Sequence, residues 1–337
     1  MHKFTYYFDS PEKITENDKI LIGIGDSFCA GRGACSLELW KKYDWDMDRM
    51  YGEGGVEVNK SNYENSWVNQ LCKNHMPDWK PVNLGMSGKG NRFAVNELFV
   101  SPLLNLEKAK EKIVVFAVSG FERFDLVNNL VTEEHFVTQW PIFDGWGDGR
   151  RIGYAELTKD IDNKSIYDET FVLCEFILNI IHLTNWCKLH NAKLLLISAF
   201  TPELNVDYFR EDFTKHSGNP FTEKVVCELL KLVPWGKIIR PMGFSCITDM
   251  LMHLEGWDEF MPNYGFRNMD IKTVGPNEYM TKCQHPTEKG HKLLAEIIYE
   301  HIVNYDNLED VKIEPNFKKY YPDIDDKPKN GSNFKLI

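Results

Sequence analysis

Apolar residues along this chain fall into two alternating patterns. Some runs are too short and continuous for a half-exposed strand, and in others apolar positions return every third or fourth residue. The run KILIGIG from Lys19 to Gly25 is of the first kind and predicts a buried parallel strand ending in glycine. Trp67, Val68, Leu71 and Cys72 are of the second kind and predict a helix over 65–75, with Asn65 as its N-cap. Pro81–Leu84 predicts a second strand running into the glycine-rich turn Gly85–Asn91, after which Phe93, Ala94, Leu98 and Phe99 mark another helix. A third strand is predicted over Ile113–Val118, a long helix over 167–189, a fourth strand over Lys193–Ser198, and a last helix over 287–303.

Strands that alternate with crossover helices form a parallel sheet covered on both faces, so the pattern predicts a three-layer α/β domain over 1–304. Reactive groups in such sheets gather at the C-terminal ends of the strands. Two stretches break the alternation, 131–165 and 200–280, and both are expected to be insertions roofing the site. From 305 to 337 the chain turns to Lys, Asp and Pro and reads as an extended tail.

Composition narrows this picture in four ways. With 43% hydrophobic and 13% aromatic residues the 337-residue chain can bury a sizeable core, which excludes a mainly disordered protein. A formal net charge of -11 without any Lys/Arg run argues against nucleic acid as a partner. The N-terminus has no apolar signal region and no segment approaches the roughly 18 apolar residues of a membrane span, so no membrane partner is expected. The eight cysteines form no CxxC pair and read as reduced thiols, placing the protein in a cytoplasm or in a particle assembled there. Homo-oligomerisation is left open.

The strongest chemical signal is Gly23-Ile24-Gly25-Asp26-Ser27, which presents Ser27 at the end of the first strand. A serine hydroxyl needs a base, and His285, just before the last helix, is the candidate. Backbone N–H groups of the glycine-rich turn are candidate donors to an oxyanion, with Gly88 the chosen one. Cys283, His285 and His291 have no second compact ligand pair, so no metal is expected. Trp140, Trp146, Trp235 and Trp257 are candidates for stacking on sugar rings or for packing the loops.

GDS after the first strand, NxGxSG at 83–88 and HPxxxGH at 285–291 resemble three sequence blocks of the SGNH (GDSL-type) hydrolases, and the resemblance spans about Ile20 to Ile302. It implies a flavodoxin-like sheet, no cofactor, and hydrolysis of small acyl esters through an acyl-serine. Ser27 would be nucleophile, His285 base and Gly88 an oxyanion donor. O-acetyl groups on carbohydrate are among the substrates it suggests. Two positions depart from the family pattern. Phe121 stands where an oxyanion asparagine is expected, leaving Asn91, Ser119 or Arg123 as substitutes. Lys282 stands three residues before the histidine in place of the acid, leaving a dyad or an acid from elsewhere, such as Glu278 or Asp249. An acyltransferase using the same serine and a non-catalytic binding or structural module are the alternative functions.

Overall fold

The fold is seen in a computed structural model that describes residues 14–44, 49–50, 53–87, 89–100, 105–120, 124–127, 136–139, 169–199, 204, 220–256, 278–281 and 285–309. Along the chain, β1 (Lys19–Gly25) leads into α1 (Ser27–Ala30), α2 (Leu37–Lys42), α3 (Gly55–Glu64) and α4 (Trp67–His75). Next come β2 (Lys80–Asn83), α5 (Asn91–Val100), β3 (Glu111–Val118), β4 (Phe124–Val127) and β5 (Phe136–Gln139). They are followed by α6 (Glu169–Leu189), β6 (Ala192–Ser198), α7 (Pro220–Leu230), β7 (Ile238–Ile239), α8 (Ile247–Leu254) and α9 (Glu288–Val303).

Five of the strands form one sheet in the order β2-β1-β3-β6-β7, every neighbouring pair parallel. That is the doubly wound, flavodoxin-like order. Its register sets Ile22 between Val82 and Val114, and Ala117 between Gly25 and Ile197. Because side chains alternate across a strand, each central strand feeds two cores. Ile20, Ile22 and Ile24 of β1, with Val114, Phe116 and Val118 of β3, pack against α5, α6 and α7 on one face. Leu21, Ile113, Val115 and Ala117 point the other way, against α4, α8 and α9. The domain is therefore a three-layer α/β structure. β4 and β5 pair separately and antiparallel.

Close approach on the second face depends on Gly23. A Cβ there would lie 2.4 Å from Val68 Cγ2 and 3.2 Å from the Trp67 indole, so β1 can sit directly under α4 only without a side chain at that position.

The structure corrects two expectations. Asn65 is the C-cap of α3, and the residue that precedes α4 as its N-cap is Ser66. The stretch 200–280 is also more than a roof: its described part supplies α7, α8 and the edge strand β7, which pairs with β6 through Leu196 and Ile197. Trp235, within it, is buried and donates its indole N–H to the Leu230 carbonyl at 2.8 Å, so it packs its own loop. Trp140, Trp146 and Trp257, like most of 131–165 and all of 310–337, lie outside the described residues. Among the described residues, no helix is long and apolar enough to cross a membrane.

Candidate active site

β1 and β3 are the strands at which the sheet order reverses direction, and the crevice outside their C-terminal ends is where doubly wound folds place ligands. Asp26 follows β1 and N-caps α1, its Oδ1 accepting the Phe28 N–H at 2.9 Å. The chain thus turns from strand to helix within one residue, and Ser27 becomes the first helical residue, 4% exposed. Its Oγ lies 2.7 Å from His285 Nε2 across a sequence separation of 258 residues. For Ser27 to donate to Nε2, the neutral imidazole carries its proton on Nδ1.

Among the described residues, three neighbours pack around or bond the backbone of His285. Thr281 grips its backbone: the Thr281 N–H and hydroxyl donate to the His285 carbonyl at 2.8 and 3.0 Å, and the hydroxyl oxygen accepts the His285 N–H at 3.1 Å. The Phe28 ring stands 5.2 Å from the imidazole centroid. Gly33 passes so close on a third side that a Cβ there would meet the Pro286 carbonyl and His285 Cβ. Thr281→Val keeps the shape but leaves the His285 N–H without its acceptor. We expect it to cost about 1–2 kcal/mol in urea unfolding, read as a lower midpoint at unchanged slope.

His291, the second histidine of the block, goes elsewhere. It is fully buried in α9, and its Nδ1 accepts the Trp67 N–H at 3.3 Å, satisfying a donor at the start of α4. Burial pushes its pKa down to about 3. The two histidines therefore serve different sites, and do not converge as a ligand pair.

Two polar residues that sequence reasoning left without a role organise the surroundings. Asn83, at the end of β2, donates to the Cys29 carbonyl at 2.9 Å and the Ser66 hydroxyl at 3.1 Å, and accepts the Gly85 N–H at 2.9 Å. It ties α1 to the glycine-rich turn. Asp26 is the other; its second oxygen accepts the Ser119 hydroxyl at 2.9 Å. A polar side chain closing a buried strand was the available signal at Asn83. Cys29, two residues after Ser27, has its thiol pKa raised well above the usual range by burial and then by the Asp26 charge, so it stays protonated.

The remaining candidates fare differently. Asn91 gives its amide hydrogens to the carbonyls of Ser119 at 2.9 Å and Gly120 at 3.2 Å, and accepts the Ser119 N–H at 2.8 Å. Ser119 in turn spends its hydroxyl on Asp26. Neither side chain is available as an oxyanion donor, because both clamp the loop after β3. Glu278 forms an ion pair with Lys289. Burial raises the Asp249 pKa, an effect its hydrogen bond with Cys246 partly offsets. Glu278 is thus engaged with a partner other than the imidazole. Gly88, Arg123, Phe121 and Lys282 lie outside the described residues.

No protein-family model and no curated protein sequence matches the chain. Among solved structures, the chain is similar to one described in the words "The active site of a carbohydrate esterase displays divergent catalytic and non-catalytic binding functions". The two are 12% identical over 87% of this chain and 69% of the other, with a TM-score of 0.35. Likeness at that level carries no argument about activity.

Proposed function

We propose that this chain is a divergent SGNH-type serine esterase acting on small acyl esters, O-acetyl groups on carbohydrate among them. The observation that carries the reading is the 2.7 Å contact between Ser27 Oγ and His285 Nε2 at the end of β1. In that geometry the hydroxyl proton has an acceptor as the oxygen attacks an acyl carbonyl. Ser27 Oγ bonds to the carbonyl carbon, its proton passes to Nε2, and the carbonyl oxygen becomes an oxyanion. The Ser27 N–H, which has no intrahelical acceptor at the first position of α1, is one donor that can face it. When the tetrahedral intermediate collapses, the ester C–O bond breaks and His285 returns its proton to the departing alkoxide. Water then attacks the acyl-serine as its proton passes to His285, the bond between the acyl carbon and Ser27 Oγ breaks to release the acid, and His285 returns the proton to Ser27 Oγ.

Intact-mass and peptide mapping after a small fluorophosphonate tests this directly. Labelling confined to Ser27 in the native chain, absent in Ser27→Ala and His285→Ala, is the expected result, together with hydrolysis of p-nitrophenyl acetate lost in the same variants. A folded protein that neither labels nor hydrolyses would overturn the reading.

The second reading is a binding module that keeps the fold without the chemistry. The ion pair of Glu278 with Lys289 favours it, since it occupies one of the two candidate acids. Loss of Glu278 as the acid would weaken such a site without abolishing it, because the acid's role is to hold the tautomer and stabilise the imidazolium. The esterase reading therefore stands first.

A further inference from the structure

The esterase reading uses no carboxylate, yet a fully buried one stands immediately before the nucleophile. Asp26 spends one oxygen on the Phe28 N–H, which is ordinary helix capping. Its other oxygen takes the hydroxyl of Ser119, the first residue after β3 and 1% exposed. Neither the cap nor the sheet needs that second bond. Ser119 is itself fixed by Asn91 of α5 through both its N–H and its carbonyl, and Asn91 extends the grip to the Gly120 carbonyl. Three separate elements, α1, the end of β3 and the start of α5, are thereby joined through one buried chain of hydrogen bonds.

We infer that the chain Asp26–Ser119–Asn91 positions Ser27, with the Ser119 hydroxyl as its distinguishing link. The inference rests on Ser27 being the nucleophile. Its physical basis is that α1 has four residues, a single turn, and a turn that short does not hold its own orientation. Buried hydrogen bonds to a carboxylate are about twice as strong as neutral ones, so two donors from different directions fix the first turn against rotation about the strand end. The loop they fix it to lies at the crevice where the substrate would enter. An error of about 1 Å in placing a reacting atom costs on the order of a hundredfold in rate, which is why such a brace affects catalysis more than folding.

The test measures kcat and KM for p-nitrophenyl acetate, fluorophosphonate labelling rates at Ser27, and thermal unfolding, in the native chain, Ser119→Ala and Ser119→Thr. Ser119→Ala is expected to lower kcat and the labelling rate by about tenfold or more at nearly unchanged KM, the signature of lost alignment in place of lost binding. Ser119→Thr, which restores a hydroxyl, is expected to recover most of that loss. The brace is overturned if folded Ser119→Ala works as fast as the native chain, if its loss falls on KM alone, or if folded Ser119→Thr is no faster than Ser119→Ala. A native chain that neither labels nor hydrolyses overturns the nucleophile reading itself, a result distinguishable from these because it needs no variant.

Discussion

Gly33→Ala is expected to slow fluorophosphonate labelling of Ser27 about a hundredfold while leaving the protein folded. Gly33 holds φ at +93°, and a Cβ built there would lie 2.6 Å from the Pro286 carbonyl oxygen and 3.1 Å from both His285 Cβ and Thr281 Cγ2. The first of these is backbone and cannot swing aside. The segment carrying His285 must retreat, and the 2.7 Å contact with Ser27 opens. Part of the cost is conformational, since an L side chain in that region is strained by roughly 1–2 kcal/mol. Gly243 supplies the control: its φ is +88°, and a Cβ there would meet nothing within 4 Å. Gly243→Ala should lose only that conformational part and label at the native rate. Equal labelling by the two variants would mean that Gly33 does not set the spacing of His285.

A second large effect concerns acid. His291 is buried as the neutral ring, its pKa lowered from 6.5 to about 3 by desolvation. The unfolded chain takes up this proton near pH 6.5, whereas the folded chain resists it until near pH 3. Between those values the unfolded state holds more protons, so stability falls as pH falls, by up to about 1.4 kcal/mol per unit. Above pH 6.5 this group contributes no slope. Protonation would also convert Nδ1 from acceptor to donor and set it against the Trp67 N–H. Urea unfolding at pH 4.5 should therefore show up to about 3 kcal/mol less stability from this group than at pH 7. His291→Gln, which can accept the same N–H without titrating, should start lower and converge with the native curve as pH drops. Parallel curves would remove His291 from the acid response.

The central strands were legible because each is a short apolar run bounded by polar residues. The predicted bounds of β1, Lys19–Gly25, are those of the structure. β3 begins earlier than its apolar run, at Glu111, because Lys112 is buried by curling its amine back onto the Ala109 carbonyl at 2.6 Å, which a hydropathy reading cannot foresee. α3 escaped notice since only Val58 and Asn62 of its ten residues are buried, too few to write a period. β7 escaped because two residues make no pattern. At the candidate site, the meeting of Ser27 and His285 could be anticipated from motifs that name both. The tasks of Asn91 and Ser119 could not, because each is the other's partner across 28 residues, and the resemblance offered both only as substitutes for an oxyanion donor. The same limit applies to Glu278, whose partner Lys289 belongs to α9.

The separation of 258 residues between the two ends of the Ser27–His285 contact also sets an order of events in time. At roughly 5–20 residues per second, a ribosome that has just added the serine needs about 10–50 s to reach the histidine. Throughout that interval β1 can find β3, and the first core can close, while Ser27 remains an ordinary alcohol. If Ser27 is the nucleophile proposed above, its reactivity would arrive only when α9 docks against α4, so a chain arrested before that step would carry most of the sheet and none of the hazard of an activated serine in a crowded cell.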